Sequence, residues 1–98
     1  MEIIKTINGN EATIALTEKL DTTSAPQLEE ELKTLLPGKE KIIFDFEKLD
    51  YLSSAGLRIL LNTQKVMSKQ GCMIIRNVND VIMDVFDMTG FSSILTIE

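Results

Sequence analysis

The sequence predicts one α/β domain, residues 1–98, with a mixed, mostly parallel β-sheet, an amino-terminal hairpin and helices packed on the sheet. Three observations carry this prediction. The 98 residues are enough for one small domain with one core. Strand-like apolar runs alternate with segments of helical periodicity, which is typical of helices that connect parallel strands. Asn8-Gly9 lies between two β-prone runs and predicts an antiparallel hairpin, which makes the sheet mixed.

The first third of the chain predicts this hairpin and one helix. We expect strands at residues 3–7 and 12–16, with positive φ at both Asn8 and Gly9, because tight hairpin turns favour it. A loop at residues 20–23 then leads into a helix whose leucines recur at helical spacing. Residues typical of helix ends mark its limits, namely Ser24 as the N-cap, Pro26 in the first turn, Gln27 at the capping-box offset, and Pro37-Gly38 at the end.

The middle of the chain predicts a central strand and a second helix. Residues 42–46 form an apolar run with little alternation, which is typical of a strand covered on both faces. After a tight loop, a helix is expected over residues 54–68, and Gly71 stops it. Its predicted inner stripe consists of Leu57, Leu60, Leu61, Gln64 and Met67.

The last third predicts another strand, a third helix and a closing strand. Residues 72–75 are expected to form a second buried strand, and Asn79 is the expected cap of the helix that Gly90 closes. A short strand at residues 93–97 would complete the sheet. The third helix is expected to bury Val81, Ile82, Val85 and Phe86, and to expose Asp80, Asp84 and Asp87.

The composition excludes several classes of function. The chain has 10 Lys+Arg and 15 Asp+Glu, a net charge of -5, and it lacks the basic cluster that nucleic acid or an anionic membrane would require. Its apolar runs are too short to span a bilayer, and no leader-like segment precedes the first strand. A single cysteine fits a reducing compartment. We therefore expect a cytoplasmic protein with no direct nucleic-acid binding and no membrane insertion.

The residues that most enzymes use are missing. The chain has no histidine and one cysteine, so it offers no Ser-His-Asp arrangement and no thiolate zinc site. It also lacks a glycine-rich phosphate loop. Asp21, Asp45 and Asp50 follow strands, so they either converge on magnesium or, as loop carboxylates usually do, accept from backbone amides. Cys72 is expected to be a small core residue. The sequence therefore predicts a binding protein rather than an enzyme, with no cofactor.

One stretch, residues 45–60, organises the candidate site. Ser53, Ser54, Ala55 and Gly56 lie where the second helix should begin. A serine hydroxyl there can accept from one of the first helical N–H groups, which lack intrahelical partners. The same position suits an anion, because the amides and the helix dipole both favour negative charge. Two interpretations therefore stay open, an ordinary N-cap or a serine that carries a phosphate.

The order of residues around this stretch resembles the STAS family, the domain shared by bacterial anti-sigma factor antagonists and sulfate-transporter tails. The resemblance extends over nearly the whole chain, and its strongest part is Ser53-Ser54-Ala55-Gly56-Leu57-Arg58. The supporting positions are Asp45, Leu49 and Tyr51-Leu52 before it, Leu20-Asp21 with Ala25 and Leu28 in the first third, and Val81, Val85, Thr89-Gly90-Phe91 and residues 94–97 in the last.

The resemblance implies a switch made by phosphorylation. In antagonists of this family, an anti-sigma factor that is itself a kinase phosphorylates the serine two places before the glycine, which is Ser54 here, with Ser53 as the alternative acceptor. The unphosphorylated form would bind that kinase and free the sigma factor, and a serine phosphatase would reset the switch. The partner-binding residues implied are Asp21, Ser53, Ser54, Ala55, Gly56, Leu57, Arg58 and Leu61.

The sequence departs from the family pattern at three positions, and it leaves other functions open. Ser53 occupies a place often held by aspartate, Ala55 the place of a second serine, and Glu18 a common glycine position. The main alternative is a STAS docking subunit of a transport or larger signalling complex, without phosphorylation. Nucleotide binding is a further alternative, against which the missing phosphate loop argues.

Overall fold

The computed structural model describes residues 1–98, and its strands and helices alternate as the sequence predicts. The strands are β1 (Ile3–Asn8), β2 (Glu11–Leu20), β3 (Lys41–Leu52) and β4 (Cys72–Arg76). The helices are α1 (Ala25–Leu35), α2 (Ser54–Gln70) and α3 (Asp80–Thr89), and a short 3-10 helix, Phe91–Ser93, follows α3. None of the helices combines the length and apolar character that crossing a membrane requires.

The sheet is mixed and mostly parallel, which confirms the predicted fold class. Its strand order is β1-β2-β3-β4. β1 pairs antiparallel with β2, whereas β2 with β3 and β3 with β4 are parallel. Each parallel pair is joined by a helix, so α1 and α2 both begin at the carboxyl end of a strand. This end of the sheet carries the candidate site.

The core lies on one face of the sheet. Facing residues of neighbouring strands are buried together, for example Ile14, Phe44 and Ile75, which occupy one row across β2, β3 and β4. They join the buried side chains of the three helices in a single cluster of 22 residues. Ile43 is buried but lies outside this cluster, because alternate strand residues point to the opposite face.

The hairpin turn is displaced by one residue from its predicted position. Asn8 pairs with Glu11, so the turn consists of Gly9 and Asn10. Gly9 has a φ of 63°, whereas Asn10 is not among the residues with positive φ. The prediction of positive φ at both Asn8 and Gly9 is therefore wrong. Positive φ at the first central residue alone is the sign pattern of a type II′ turn, which glycine at that position favours.

Both central strands run beyond their predicted ends, and the tight loop predicted after Asp45 is wrong. β2 reaches Leu20 and β3 reaches Leu52, with register shifts between Ala15 and Thr17 and between Glu18 and Lys19. The buried Leu49 and Leu52 anchor the extension of β3 despite its polar residues. Glu18, at the expected glycine position, has a φ of 65°, the left-handed conformation that glycine adopts most readily.

Helix α2 begins at the predicted residue and ends two residues later than predicted, and its inner face is rotated. Leu57, Leu60 and Met67 are buried as predicted, whereas Leu61 and Gln64 are only half-buried. Ile59 and Thr63 are buried instead, because α2 also packs beside α1, and both residues line the groove between these helices. The Thr63 hydroxyl donates to the Ile59 carbonyl at 2.8 Å, so its burial leaves no unpaired donor.

The end of α2 confirms Gly71 as its stop. Gly71 is the C-cap, and its N–H donates to the Met67 carbonyl at 2.6 Å. A Cβ atom at Gly71 would overlap the carbonyl oxygen of Glu40. Only glycine therefore fits where the chain passes from α2 into β4.

The last part of the chain confirms the third helix but not the closing strand. Ile82 and Phe86 are fully buried, Val85 is half-buried, and Val81 is exposed, contrary to prediction. In place of a strand at residues 93–97, the 3-10 helix is followed by a single parallel bridge between Ile75 and Ile97. The prediction of this strand is therefore wrong in extent, because Ser93 is used by the 3-10 helix and only one residue pair remains.

Cys72 is exposed, so its prediction as a core residue is wrong. It is the first residue of β4 and pairs with Lys41, whereas the next residue, Met73, is buried. Alternation along β4 therefore sends Cys72 to the face of the sheet that the core does not cover.

Candidate functional site

The candidate site is the amino-terminal end of α2, where β3 stops and the helix starts. Ser53 is the N-cap residue, with extended backbone angles of φ −92° and ψ 175°, and Ser54 is the first helical residue. The Ser53 N–H donates to the Leu20 carbonyl at 2.9 Å. This bond continues the pairing of Leu20 with Leu52 and holds the start of α2 against the loop that begins at Asp21.

Gly56 fixes how closely the first turn of α2 approaches the strands. A Cβ atom there would lie 2.5 Å from Leu52 Cδ1 and 2.9 Å from Leu20 Cγ. Both leucines are buried in the core, so they have little room to move. The glycine of the motif is therefore required for packing, and it brings the helix tip onto the ends of β2 and β3.

The two serines at the tip have opposite environments. Ser54 is exposed, and its side chain makes no hydrogen bond within the chain. Ser53 is half-buried, and its Oγ is buried without a hydrogen-bond partner. Neither hydroxyl caps the helix, since α2 has no side-chain cap. Of the two interpretations that the sequence left open, the ordinary serine N-cap is therefore wrong for this structure.

The first turn of α2 is electrostatically suited to an anion. The opening N–H groups of a helix lack intrahelical partners, and no side chain supplies an acceptor here. The first turn also contains no acidic residue. The dipole of a helix places partial positive charge at this end, so an anion on Ser54 would be stabilised rather than repelled.

The neighbouring loop is held by Asp21. Its Oδ1 accepts from the Thr23 hydroxyl at 2.7 Å, from the Thr23 N–H at 3.0 Å and from the Ser24 N–H at 3.1 Å. These donors, the Thr23 hydroxyl above all, lower the pKa of Asp21 below its ordinary value. Ser24 occupies the N-cap position of α1, but its hydroxyl donates to the Lys19 carbonyl at 2.8 Å and caps nothing, contrary to the prediction.

The three aspartates considered for magnesium do not meet. Asp21 and Asp50 line one open groove of about 360 Å³ together with Glu18, Lys19 and Thr23. Asp45 is engaged elsewhere, where its Oδ1 accepts from the Glu47 N–H at 3.0 Å and the Asn77 side chain at 2.9 Å. The structure contains no group of three Asp, Glu, His or Cys residues that could hold a metal ion.

The residues predicted to bind a partner differ in accessibility. Ser54 and Arg58 are exposed, whereas Asp21, Ser53, Ala55 and Leu61 are half-buried, and Gly56 and Leu57 are buried. Gly56 and Leu57 therefore shape the tip from below and offer a partner little surface. Arg58 forms none of the ion pairs in the structure.

Sequence reasoning missed Tyr51, which lies just before the tip and is 46% exposed. The expectation that β3 ends near Asp45 places Tyr51 in a loop, where the sequence pattern predicts no direction for its side chain. Its flanks carried a signal, since two buried leucines, Leu49 and Leu52, enclose the exposed Asp50 and Tyr51. An exposed aromatic ring three residues before Ser54 in the chain adds apolar surface to this end of the domain.

A family model and two relatives of known name were found for this sequence. The family model described as STAS domain matches residues 2–98. BtrV of Bordetella bronchiseptica, named as a candidate anti-sigma factor antagonist, is 34% identical over 80 residues, which cover 80% of this chain and 69% of BtrV. The anti-sigma-B factor antagonist of Bacillus subtilis is 29% identical over 91 residues, which cover 92% of this chain and 84% of that protein.

Solved structures share the fold at lower identity. The anti-sigma factor antagonist SpoIIAA in its unphosphorylated form has a TM-score of 0.77 at 20% identity, over 99% of this chain and 87% of that one. The phosphorylated form of SpoIIAA, from Bacillus, also has a TM-score of 0.77 at 20% identity, over 99% of this chain and 91% of that one. A candidate anti-sigma factor antagonist from Thermotoga maritima has a TM-score of 0.89 at 17% identity, over 97% of this chain and 84% of that one.

Proposed function

Because this chain belongs to the STAS domain family, we propose that it is a bacterial anti-sigma factor antagonist that works by binding and not by catalysis. In its unphosphorylated form it binds an anti-sigma factor kinase in the cytoplasm, and the sigma factor is released. The kinase phosphorylates Ser54, which reverses the binding. A serine phosphatase removes the phosphate and restores the binding form.

The relatives support the antagonist part of this proposal. Two proteins that align with most of this chain are named for antagonism of anti-sigma factors, one of them as a candidate. SpoIIAA, which shares the fold, is known in unphosphorylated and phosphorylated forms. The choice of Ser54 rests on the geometry of the tip.

The observation that carries the proposal is the exposed Ser54 hydroxyl at an uncapped helix start. A kinase can reach Ser54, whereas the Ser53 Oγ is buried. Ser54 also makes no hydrogen bond that phosphorylation would break. Of the two candidate acceptors, Ser54 alone is accessible without rearrangement of the domain.

Charge explains how a phosphate would switch the partner and leave the fold intact. Phosphoserine carries about −1.5 to −2 charges near neutral pH. The positive end of α2 and its free N–H groups tolerate this charge within the domain. A partner surface that fits a small neutral hydroxyl instead meets a bulky dianion. A loss of about 3 kcal/mol in binding free energy would weaken the complex more than about a hundredfold.

The direct test is phosphorylation by the cognate anti-sigma kinase. The protein is incubated with that kinase and ATP, and mass spectrometry locates the phosphate. We expect one phosphate on Ser54 in the wild type and in Ser53→Ala, and none in Ser54→Ala. Modification of Ser53, or of a site outside the tip, would refute the choice of Ser54.

Binding measurements on the same proteins separate the switch from permanent docking. Phosphorylated and unphosphorylated wild type are compared for affinity to the kinase, with Ser54→Ala treated in parallel as the unmodifiable control. Equal affinity of the two forms would contradict the switch. A chain that binds a transporter or another signalling subunit, and that no kinase modifies, would instead be a docking subunit.

A further inference from the structure

The carboxyl-terminal part of the chain carries most of the net charge. Residues 77–98 contain four acidic residues and no lysine or arginine, so they account for −4 of the net charge of -5. Residues 1–76, in contrast, hold all 10 basic residues and nearly balance them with acids. Three of the four carboxylates, those of Asp80, Asp84 and Asp87, lie on α3.

These three carboxylates form no ion pair, and only Asp80, in the first turn, lies where the helix dipole favours an acid. Glu98 pairs with Arg76 at 3.2 Å, but no aspartate of α3 takes part in an ion pair or a side-chain hydrogen bond. Asp80 and Asp84 are four residues apart and Asp84 and Asp87 are three apart, which are spacings at which like charges repel. Asp87 lies in the last turn, where the dipole favours a cation.

Apolar side chains share the outward face of α3 with these carboxylates. Val81 is 58% exposed, Met88 is 87% exposed, and Val85 between them is half-buried. Their spacing of four and seven residues from Val81 aligns them along one side of the helix. Ile82 and Phe86, fully buried on the other side, fix the orientation of α3. The exposed apolar row therefore cannot turn into the core.

We propose that this face, defined by Asp80, Val81, Asp84, Val85, Asp87 and Met88 and called the α3 surface below, docks into an apolar groove edged by lysine or arginine on a second protein. An apolar row at these spacings is the pattern by which helices anchor in grooves. The free carboxylates complement cations on the rim, and they repel nucleic acid and anionic lipid. The α3 surface shares no residue with the Ser54 site, so this contact stands apart from the phosphorylation switch.

The test uses designed peptides as probes of surface chemistry. Full-length ¹⁵N-labelled protein is titrated with three amphipathic helical peptides of equal length, composed of leucine with lysine, serine with lysine, or leucine with glutamate. We expect the leucine–lysine peptide to shift the amide resonances of residues 80–89, and the other two peptides to leave them in place. Shifts centred on the groove beside Asp21 and Asp50, or shifts with the leucine–glutamate peptide, would overturn the proposal.

Two double charge variants and one apolar variant then measure how much of the affinity for the leucine–lysine peptide comes from charge and how much from apolar contact. Asp84→Asn/Asp87→Asn removes two charges from the α3 surface, and Glu2→Gln/Glu47→Gln removes two exposed charges elsewhere. We expect the first pair to weaken leucine–lysine binding about tenfold and the second to change it less than about twofold. Met88→Ser should weaken it about tenfold or more, since an exposed side chain is lost without damage to the core. Equal effects of the two charge variants would refute the proposal, as would self-association of the protein that Met88→Ser abolishes.

Discussion

The starts of α2 and α3 differ in almost every feature that stabilises a helix terminus. Asn79 caps α3 by accepting from the Ile82 N–H at 2.8 Å, and Asp80 adds an acid to its first turn. The start of α2 has no side-chain cap and no acid, and the hydroxyl of its N-cap residue, Ser53, is buried without a partner. Both residues before the helix have the same extended backbone, near φ −77°, ψ 169° for Asn79 and φ −92°, ψ 175° for Ser53.

Because the backbone is alike, the difference lies in the acceptors and charges that the side chains supply at each terminus. The start of α3 supplies its own acceptor and negative charge, so it has no electrostatic need for an external anion. The start of α2 has no side-chain cap, and the exposed Ser54 lies at its first helical position. A terminus that is left uncapped within the fold is therefore the one at which a phosphate would be best accommodated.

The largest expected effect comes from giving α2 the acid that α3 already has. Ser54→Asp places a carboxylate at the position that Asp80 holds in α3. We expect affinity for the anti-sigma kinase to fall about a hundredfold, or about 3 kcal/mol, when measured by calorimetry. The melting temperature should stay constant or rise slightly, because an acid in the first turn contributes about 0.3–1 kcal/mol to stability.

Ser54→Asn is the control for this substitution, since asparagine matches aspartate in size and lacks its charge. Its effect on kinase affinity should be much smaller. If both variants lose affinity equally, shape rather than charge governs the contact. If Ser54→Asp lowers the melting temperature markedly, the charge acts on folding. The start of α2 would then not tolerate an acid as the start of α3 does.

Gly56→Ala is expected to have the next largest effect, by pushing α2 off the strands. The new Cβ would meet the buried Leu52 and Leu20, and overpacking of this kind costs about 1–3 kcal/mol. The higher helix propensity of alanine offsets up to about 1 kcal/mol of that cost. Urea denaturation followed by circular dichroism measures the difference. Ala55→Gly serves as the control, because it creates no clash: it lowers stability by about 0.5–1 kcal/mol through backbone entropy and loses the contact of one half-buried methyl group.

Removal of the two N-cap side chains should change the free energy of unfolding by different amounts. Asn79→Ala loses the bond to the Ile82 N–H and a second bond to the Leu49 carbonyl, so we expect stability to fall by about 1–2 kcal/mol. Ser53→Ala removes a buried hydroxyl that has no partner, so stability should stay within about 0.5 kcal/mol or increase. The two variants are compared in one series of denaturation curves. Similar losses in both would mean that Ser53 caps α2 in solution.

Sequence reasoning predicted the features that depend on local chemistry. The alternation of strands and helices, the start of α2, the Asn79 cap and the stop at Gly71 follow from short-range patterns, and all are present in the structure. The position of Ser54 at the first helical residue followed from the same kind of argument. These features need only the neighbouring few residues, which is why one sequence suffices to predict them.

The features that depend on the rest of the fold were not predictable in this way. Ser53 and Ser54 are identical residues side by side, and only the packing of the tip makes one buried and the other exposed. The inner face of α2 rotated toward Ile59 and Thr63 because α1 lies beside it. The extension of β3 to Leu52 required knowledge of its pairing with β2, since residues 47–50 are mostly polar.

The start of α1 supplies a third case and the smallest expected effect. There the capping comes from a residue upstream of the N-cap, since Asp21 accepts from the N–H groups of Thr23 and Ser24. Because the pKa of Asp21 is lowered in the folded state, chiefly by the Thr23 hydroxyl, its ionised form stabilises the fold. That contribution is present above the ordinary value of 3.8 and is lost as the pH falls through the lower, folded pKa.

Thr23→Val removes the main donor, so it should raise the pKa of Asp21 toward 3.8 and weaken the acid dependence of stability. A ¹³C NMR titration of the Asp21 carboxyl group measures the pKa directly. Thr22→Val is the control, because Thr22 is exposed and makes no hydrogen bond to Asp21, and its pKa curve should match the wild type. An unchanged curve in Thr23→Val would show that the backbone donors alone hold Asp21, which would make α1 resemble α3 in relying on amide capping.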